Sequence, residues 1–319
     1  MRRWSISRVV LRTLVVAALL CGVSTPTAQA ADSERAGSVF SSAEEEALFH
    51  RTQKLRNEDH PWEALSAVNR GLDLSKGKTS SIAWTTETAL ILEDLGHYGE
   101  AEIAHKRALE LMAQAKMDGG AAECTELLLF ARLYERLERF DEAEPLVQRA
   151  LAIARNSWKA GEGLALTRLG SLLRAQQRYR ESEARLKEAI AIYEKSGGRA
   201  GLAKALAVLA RLYEDTYRSA EAEALDRRVL AIDEALLGPD NPQIAPSIAV
   251  LAGNLELQGR LEEAEALYKR ALAIRERAFG REALSVARTL QALASLCIEQ
   301  DRPEEAEDYA RRALAIRER

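Results

Sequence analysis

The chain has 319 residues, of which only 7 are proline and 5% are aromatic, while 29% are charged. Acidic residues outnumber basic ones by 49 to 45, and this balance argues against nucleic acid as a partner, because phosphates attract basic surfaces. Ala, Leu, Glu and Arg dominate the composition, which is typical of proteins built from long helices.

Residues 1–30 have the layout of a secretory signal peptide. Four arginines and no acidic residue accompany an uncharged run from Thr13 to Val23, and Ala28-Gln29-Ala30 is the small-x-small pattern that signal peptidase recognises. We predict cleavage between Ala30 and Ala31, export to the periplasm or the outside of the cell, and a short flexible polar lead over residues 31–41. Loss of the four signal arginines from the 45 basic residues would leave 41 against 49 acidic ones, which disfavours binding to anionic membranes.

Other interpretations of this N-terminal segment have less support. An uncleaved membrane anchor is disfavoured because the apolar run is shorter than the roughly 20 residues that cross a bilayer. A lipoprotein signal would be cleaved before Cys21, but Leu20 is bulky where such signals carry a small residue. Arg2-Arg3 has no wider twin-arginine motif around it. We therefore expect no stable membrane span after processing.

From residue 42 to the end, one pattern recurs seven times. Each copy has a small residue, which we call the anchor, and successive anchors are 37, 42, 39, 40, 42 and 42 residues apart. Seven residues after the anchor stands Gly, Ala or Val, and the positions eight and ten residues after it are Leu or Ile. The anchors are Ala64, Ala101, Ala143, Ser182, Ala222, Ala264 and Ala306.

These spacings predict an amphipathic helix that contains each anchor. Offsets of seven, eight and ten residues lie on one face of an α-helix, so the small residues allow close helix contact and the larger ones fill the space between repeats. A glutamate directly follows six of the anchors, in the first turn, where a carboxylate opposes the positive end of the helix dipole. Trp62, just before the first anchor, and Trp84, in the second repeat, are predicted to pack internally.

A second apolar helix precedes each anchor helix, and short turns join the two. Gly96, Gly259 and Asp301, each five residues before an anchor, suit the left-handed conformation that closes such a turn. Between the fifth and sixth repeats the chain carries a strong helix breaker. There, Asn241 is predicted to cap the next helix, with Pro242 at its first position.

This pattern resembles the tetratricopeptide repeat (TPR), in particular the 42-residue form found in kinesin light chains and many bacterial proteins. The likeness covers residues 42–319 and rests on Gly259-Arg260, Glu263-Ala264-Glu265, Tyr268, Arg270-Ala271-Leu272 and the link from Leu237 to Pro242. It implies an all-α fold, a right-handed α-solenoid of seven helix-turn-helix repeats. It also implies a non-catalytic scaffold or adaptor that binds a peptide or protein in the groove of the superhelix, although a fold alone does not identify a ligand.

The resemblance implies that the first helix of each repeat lines the groove, with inward positions 15, 11, 8 and 7 residues before the anchor. These positions mix charged, polar and apolar residues, including Leu257 and Ile298. Basic residues here would hold acidic side chains or a carboxylate. The alternative for each is an ordinary solvated or intramolecularly paired side chain. Lys204 and Arg288 stand one turn before these positions and are expected to face the same groove. The candidate partner-binding residues are Arg132, Arg136, Arg174, Lys204, Arg211, Arg288 and Gln291.

One departure from the family bears on the ligand. Kinesin light chains carry paired asparagines on this helix that contact the backbone of a bound peptide, and no asparagine stands at the corresponding positions here. Those positions are Leu128-Leu129, Thr167-Arg168, Ala207-Val208, Ala249-Val250 and Gln291-Ala292. The lysine-and-asparagine carboxylate clamp of chaperone-binding relatives is not evident either. We therefore predict a protein or peptide partner without assigning its class.

We predict no enzymatic activity, no cofactor and no metal. The sequence has no H-E-x-x-H, C-x-x-C, P-loop or G-x-S-x-G motif. His97 and His105 are separated by a turn, so packed or surface histidines are favoured over metal ligands. Cys124 and Cys297 are expected to be small buried residues rather than a disulfide.

Self-assembly is the alternative to a partner-binding scaffold. Arg319 falls inside the second helix of the seventh repeat, with no further polar helix to cover it, whereas repeat arrays usually have polar caps. A homo-oligomer would cover this surface with a second copy, or the last helix would be polar enough by itself. Both interpretations remain open at the level of the sequence.

Overall fold

A computed structural model describes residues 40, 42–57 and 60–318. The predicted signal peptide and all of the polar lead except Phe40 lie outside the described residues. The described residues form fourteen α-helices, two for each predicted repeat. In chain order they are α1 (Ala43–Asn57), α2 (Pro61–Leu74), α3 (Ser80–Asp94), α4 (Tyr98–Gln114), α5 (Ala121–Arg136), α6 (Phe140–Ser157), α7 (Glu162–Ala175), α8 (Tyr179–Ser196), α9 (Arg199–Asp215), α10 (Ser219–Leu237), α11 (Ala245–Leu257), α12 (Leu261–Phe279), α13 (Leu284–Glu299) and α14 (Pro303–Arg317).

The odd-numbered helices are the first helices of the repeats and are called A helices; the even-numbered, anchor-bearing ones are called B helices. The chain divides into two compact units at Gln176, and each is described by itself. Unit 1 contains α1 to α7, and unit 2 contains α8 to α14. Within each unit, an A helix packs on the B helix of its own repeat and on that of the preceding repeat. The predicted all-α class of helix-turn-helix repeats is therefore confirmed.

The small anchors mark where helices approach most closely. All seven anchors are buried, and so are all seven residues that follow them by two turns. Gly71 shows why size matters there, because an added Cβ would lie 2.4 Å from ring atoms of Trp84. The periodicity of the sequence alone thus identifies the buried face of every B helix.

The turns inside the repeats adopt the conformation that the sequence predicts. Gly96, Gly259 and Asp301 have positive φ angles of 78°, 76° and 57°. The next residue closes the turn, as when the Arg260 amide donates to the Leu255 carbonyl at 2.9 Å, which satisfies an otherwise free helix-end carbonyl. Three further repeats use non-glycine residues at the same position, which the sequence did not single out. These are Glu138, Gln177 and Tyr217.

The link between the fifth and sixth repeats is also as predicted. The side chain of Asn241 accepts a hydrogen bond from the amide of Gln243 at 2.9 Å, and Pro242 occupies the first position of the helical segment. This segment is a single 3₁₀ turn, Pro242–Ile244, that leads directly into α11. Its Ile244 is fully buried, so the cap also fixes an apolar residue in the core of unit 2.

An arginine at the start of most B helices joins neighbouring repeats. Arg260 binds both carboxylate oxygens of Glu263, at 2.6 and 2.7 Å, and reaches Glu223 of the preceding repeat at 2.7 Å. Such planar, bidentate pairs are geometrically specific. The glutamate that follows an anchor therefore accepts hydrogen bonds from an arginine of the next repeat, in addition to opposing the helix dipole. The same arrangement occurs at Arg139, Arg218 and Arg302.

The aromatic and cysteine residues divide between core and surface. Trp84 is fully buried against Phe49, as predicted. The prediction for Trp62 was wrong: it is 64% exposed, with its ring edge-on to that of His97. Cys124 and Cys297 are both buried free thiols.

Among the described residues, no helix combines the length and apolar character needed to cross a bilayer.

Candidate partner-binding face

We call the side of the A helices that carries the predicted inward positions the A-helix face, and treat it separately in each unit. In unit 1, Arg132 and Arg136 both converge on Glu93 of the preceding A helix. The nearest guanidinium nitrogens lie 3.3 Å (Arg132) and 3.5 Å (Arg136) from Glu93 Oε2. Arg136 also donates to the Tyr98 hydroxyl at 3.2 Å and stacks over that ring. These two candidates therefore have partners within their own unit.

Glu93 belongs to a fully buried cluster around His105. The His105 ring nitrogens lie 3.2 Å from Glu93 Oε1 and 2.7 Å from Glu126 Oε1, and Thr86 donates to the second oxygen of Glu126 at 2.7 Å. Burial disfavours an imidazolium, but the hydrogen bonds to Glu126 and Glu93 outweigh it and raise the pKa of His105 to about 9. The pKa of Glu93 is lowered, because its bonds to His105 and Arg132 outweigh the effect of burial.

The rest of the A-helix face in unit 1 is also internally paired. Arg56 lies 2.9 Å from Glu87, and Arg168 lies 3.6 Å from Glu135. Burial raises the pKa of both carboxyl groups despite these arginines. Arg174 is half-buried on α7, and its charge acts on Glu135. Unit 1 thus presents a row of side chains that largely neutralise one another.

The candidates of unit 2 have different surroundings. Lys204, Arg211 and Arg288 are exposed, and within the described part of the chain none of them makes an ion pair or a hydrogen bond. Gln291 is exposed and its side-chain oxygen accepts a hydrogen bond from Arg317 at 2.5 Å. The charge of Arg211 acts on the buried carboxyl of Asp226, whereas Lys204 and Arg288 have no counter-ion in the described part of the chain.

Unit 2 also exposes two large apolar side chains at inward positions. Leu257, in the last turn of α11, is 82% exposed, and Ile298, in the last turn of α13, is 68% exposed. Both stand at positions that the sequence predicts to face the groove, but all of the candidate partner-binding residues are charged or polar.

Two B helices of the described residues carry a buried polar side chain where other repeats have an apolar one, and the site predicted from the sequence includes neither. Val68, Val147 and Leu186 stand four residues after their anchors, whereas His105 and Asp226 occupy that position in their repeats. Asp226 is buried against Asn254, whose amide also donates to Glu214 at 2.7 Å. Burial raises the pKa of Asp226 to about 6. The signal that identifies these residues is a polar side chain in an otherwise apolar column.

The exposed cations and apolar side chains of unit 2 can bind a partner by charge and by apolar contact. Within the described ranges, no group of three or more His, Cys, Asp or Glu side chains has the arrangement of a metal site. His97 lies at the surface beside Glu100, at 3.1 Å, while His105 is enclosed by its two carboxylates and stacked on Phe130. His97 is therefore a surface histidine and His105 a buried, ion-paired one.

Comparison with known proteins places the chain among repeat proteins. The tetratricopeptide repeat model matches residues 80–156, 162–235, 217–277 and 244–319, and so includes every repeat except the first. Regulatory protein AfsR of Streptomyces griseus is 29% identical over 142 residues, which are 44% of this chain but only 15% of that protein. The chain therefore spans a small part of this relative.

Two solved structures are similar in fold. BtubC (BKLC) from P. vanneervenii is 20% identical with a TM-score of 0.61, over 69% of this chain and 91% of that chain. A Podosopora anserina kinesin light chain protein with nearly identical TPR-like repeats is 22% identical with a TM-score of 0.54, over 60% of this chain and 93% of that chain. The family matches extend over more than half of the sequence, and the buried anchors recur with the spacing of the repeat. The chain belongs to the tetratricopeptide repeat family.

Proposed function

We propose that this protein is a non-catalytic scaffold that binds a peptide or protein partner on the A-helix face of unit 2. Repeat arrays of this kind generally serve as surfaces for protein–protein interaction. The observation that carries the proposal is the contrast in pairing: Arg132 and Arg136 are bound to Glu93, whereas Lys204 and Arg288 have no counter-ion among the described residues and Arg211 is exposed without a direct ion pair there. Unpaired cations on one face favour a partner that brings carboxylates.

Charge reversal tests this assignment. The variant Lys204→Glu, Arg211→Glu, Arg288→Glu is compared with the wild type in crosslinking and pull-down from cell-envelope extracts. The matched control, Arg180→Glu, Lys195→Glu, Arg281→Glu, makes the same charge change at exposed residues outside the A-helix face of the same unit. We expect the first variant to lose its partners and the control to keep them. Equal recovery by both variants would contradict the assignment.

We further propose that the mature protein acts outside the cytoplasm. The support is the sequence alone: basic residues, a short apolar run and the Ala28-Gln29-Ala30 pattern. N-terminal sequencing of the protein purified from its native cell tests the proposal. A sequence that begins at Ala31 is expected, whereas an intact N-terminus in the membrane fraction would indicate an uncleaved anchor.

A second copy of the chain is the alternative partner. Leu314, in α14, is 55% exposed, and a contact between two copies of the chain would remove this apolar side chain from water. Light scattering at several concentrations distinguishes the two functions. A mass that rises with concentration and falls on Leu314→Ser would support self-assembly, whereas a strict monomer would exclude it.

A further inference from the structure

Three arginines of unit 2 come together along the N-terminal half of α13. Arg275, in α12, donates a hydrogen bond to the hydroxyl of Thr289, and Arg317, in α14, donates to the side-chain oxygen of Gln291 at 2.5 Å. Arg288 belongs to α13 itself and directly precedes Thr289. We call Arg275, Arg288 and Arg317 the arginine cluster.

Helix geometry places Arg288 between the two contacts. Because an α-helix turns by about 100° per residue, Thr289 lies about 100° to one side of Arg288 around the axis of α13, and Gln291 lies about 60° to the other side. Arg275 and Arg317 therefore approach Arg288 from the helices on its two sides. Burial first, and the nearby charge of Arg288 second, lower the pKa of Arg275, so these two cations act on each other.

The preceding pair of repeats makes the same contact with the opposite charge. There, the residue eleven positions after the anchor is Asp233, and its carboxylate accepts a hydrogen bond from Ser247 of α11 at 2.6 Å. Ser247 and Thr289 stand at the same place in their helices, seventeen residues before the next anchor. The interface between α12 and α13 thus carries a cation where the preceding interface carries an anion.

No carboxylate of the described residues forms an ion pair with the arginine cluster. Arg275 is half-buried, whereas Arg288 and Arg317 are exposed. Neighbouring arginines of the same helices do have such partners, as when Arg277 of α12 meets Asp240 at 2.9 Å. A half-buried cation beside a second cation is unfavourable. An anion that binds here would therefore relieve a repulsion in addition to accepting hydrogen bonds.

We propose that the arginine cluster binds a phosphate-type dianion. Each guanidinium offers a planar pair of donors that suits the oxygens of a phosphoryl group. A phosphoryl group brings nearly two negative charges and three acceptor oxygens to one point, whereas a carboxylate brings one charge. The proposal rests on the proposed function, since Arg288 belongs to the face assigned there, and it adds Arg275 and Arg317 from the B helices.

Isothermal titration calorimetry of the full chain in chloride buffer provides the direct test. The ligands are inorganic phosphate, a short peptide with one phosphoserine, and the same peptide with glutamate in place of the phosphoserine. We expect the dianions to bind, with the glutamate peptide about tenfold weaker or more because it brings less charge. A phosphopeptide that binds more tightly than phosphate would assign the dianion to a partner protein, and otherwise the ligand is the free ion. Binding of the glutamate peptide as tight as that of the phosphopeptide would contradict the proposal.

Substitutions locate the dianion. The variant Arg275→Gln, Arg317→Gln removes two of the three charges and should weaken phosphate binding by about tenfold or more, because it removes charged hydrogen-bond donors. The control Arg277→Gln, Arg311→Gln makes the same charge change in the same two helices, at exposed arginines that already pair with carboxylates. It should bind phosphate as the wild type does.

Thermal unfolding distinguishes binding from a purely structural role. Phosphate should raise the melting temperature of the wild type and of the control but not that of Arg275→Gln, Arg317→Gln, because a ligand that binds only the native state stabilises it. Without phosphate, this variant should melt no lower than the wild type, since it loses unbalanced charges while glutamine keeps a donor for Thr289. A lower melting temperature together with unchanged phosphate binding would show that the arginines only join the helices, and would overturn the inference.

The outcomes separate this inference from the proposed function. Absence of binding by both dianions, or equal binding by the Arg275→Gln, Arg317→Gln variant and its control, would overturn the inference. In that case, loss of extract partners on charge reversal at Lys204, Arg211 and Arg288 would still support the proposed function. If the charge-reversal variant keeps every partner while the wild type binds phosphate, the proposed function fails and the dianion site stands without it.

Discussion

His105 occupies a position that most other repeats give to apolar residues, and its surroundings make it a buried cation. Glu93 and Glu126 bind its two ring nitrogens, and Phe130 lies against the ring at a centroid distance of 5.2 Å. A buried charge is tolerated only when its partners replace water. The cluster therefore fixes how α3, α4 and α5 pack, because a shift of any one helix would separate His105 from Glu93 or Glu126.

Replacement of His105 should be strongly destabilising in a pH-dependent manner. In His105→Gln, two buried carboxylates lose their cation, and we expect a loss of about 3 kcal/mol of unfolding free energy at pH 6. The pKa of His105 is raised from 6.5 to about 9 on folding, so the stabilisation is fully present below pH 6.5 and is lost as the pH rises through about 9. Urea unfolding at pH 6, 8 and 10 measures this loss. The exposed His50→Gln is the control, and an effect of the His105 variant that does not shrink at pH 10 would contradict the assignment.

At neutral pH the Asp226 carboxylate should destabilise the folded state, whereas His105 stabilises it. Burial raises its pKa from 3.8 to about 6; Asn254 and Arg211 lower it, whereas Glu214 raises it further. The folded state therefore favours the protonated acid, and stability falls as the pH rises from about 4 to about 6.

Asp226→Asn removes this titration while keeping an acceptor for Asn254. We expect it to stabilise the protein at pH 7 by about 1–3 kcal/mol, a gain that disappears below about pH 4. Melting temperatures between pH 4 and pH 8 test the prediction, with the exposed Asp240→Asn as control. A variant that is less stable than the wild type at pH 7 would show that the carboxylate is needed.

At the scale of single elements, the turn inside each repeat combines a fixed conformation with variable residues. Gly259 and Tyr217 occupy the same turn position with φ angles of 76° and 59°. Tyr217 is 94% exposed, so its side chain gains little from packing to offset the left-handed backbone. A bulky residue in this conformation is unfavourable, whereas glycine and asparagine adopt it readily.

Exchanges at these two turns should therefore change stability in opposite directions. Tyr217→Asn is expected to stabilise by about 0.5–1 kcal/mol, and Gly259→Ala to destabilise by about 1 kcal/mol. An added Cβ at Gly259 meets no atom within 4 Å, so the second effect reports the backbone alone. Urea midpoints of the two variants provide the measurement. Destabilisation by Tyr217→Asn would indicate an unrecognised role of the tyrosine ring.

The arginine at the start of most B helices determines how one repeat meets the next. Arg260 joins Glu263 of its own helix to Glu223 of the preceding repeat, and lysine, with one nitrogen, would not hold both. We expect Arg260→Lys to lower the urea midpoint of unit 2, and a double-mutant cycle with Glu223→Gln to give a favourable coupling. Arg281→Lys, at an exposed turn, is the control. Independent, additive effects of Arg260 and Glu223 would exclude a role in joining the repeats.

At the scale of the whole molecule, the two units use similar helices for different A-helix faces. On this face unit 1 pairs its charges internally, whereas unit 2 exposes cations and the apolar side chains of Leu257 and Ile298. Charge reversal should therefore act on folding in one unit and on binding in the other. We expect Arg132→Glu to lower the melting temperature, because it breaks a contact with the buried Glu93, and Lys204→Glu to leave it unchanged while weakening partner binding. Parallel thermal unfolding and pull-down measure both effects. Equal melting temperatures would contradict the contrast.

The sequence by itself determined the helices, the seven repeats, the buried anchors and the turn at Asn241. These depend on residues a few positions apart, and helix periodicity converts such spacing directly into a buried face. Together with the family resemblance, it also predicts which residues stand at inward positions, including Arg132, Arg211 and Leu257.

Only the tertiary structure decided which of these side chains are available. Arg132 meets Glu93 from a position 39 residues away, and Arg260 meets Glu223 from 37 residues away, because stacking of the repeats brings them together. The same stacking left Trp62 at the surface, where the sequence predicted packing, and left Lys204 without a counter-ion among the described residues. Local periodicity fixes the direction of a side chain, but the neighbour that it meets depends on a repeat about forty residues distant, and so pairing is a property of the assembled fold.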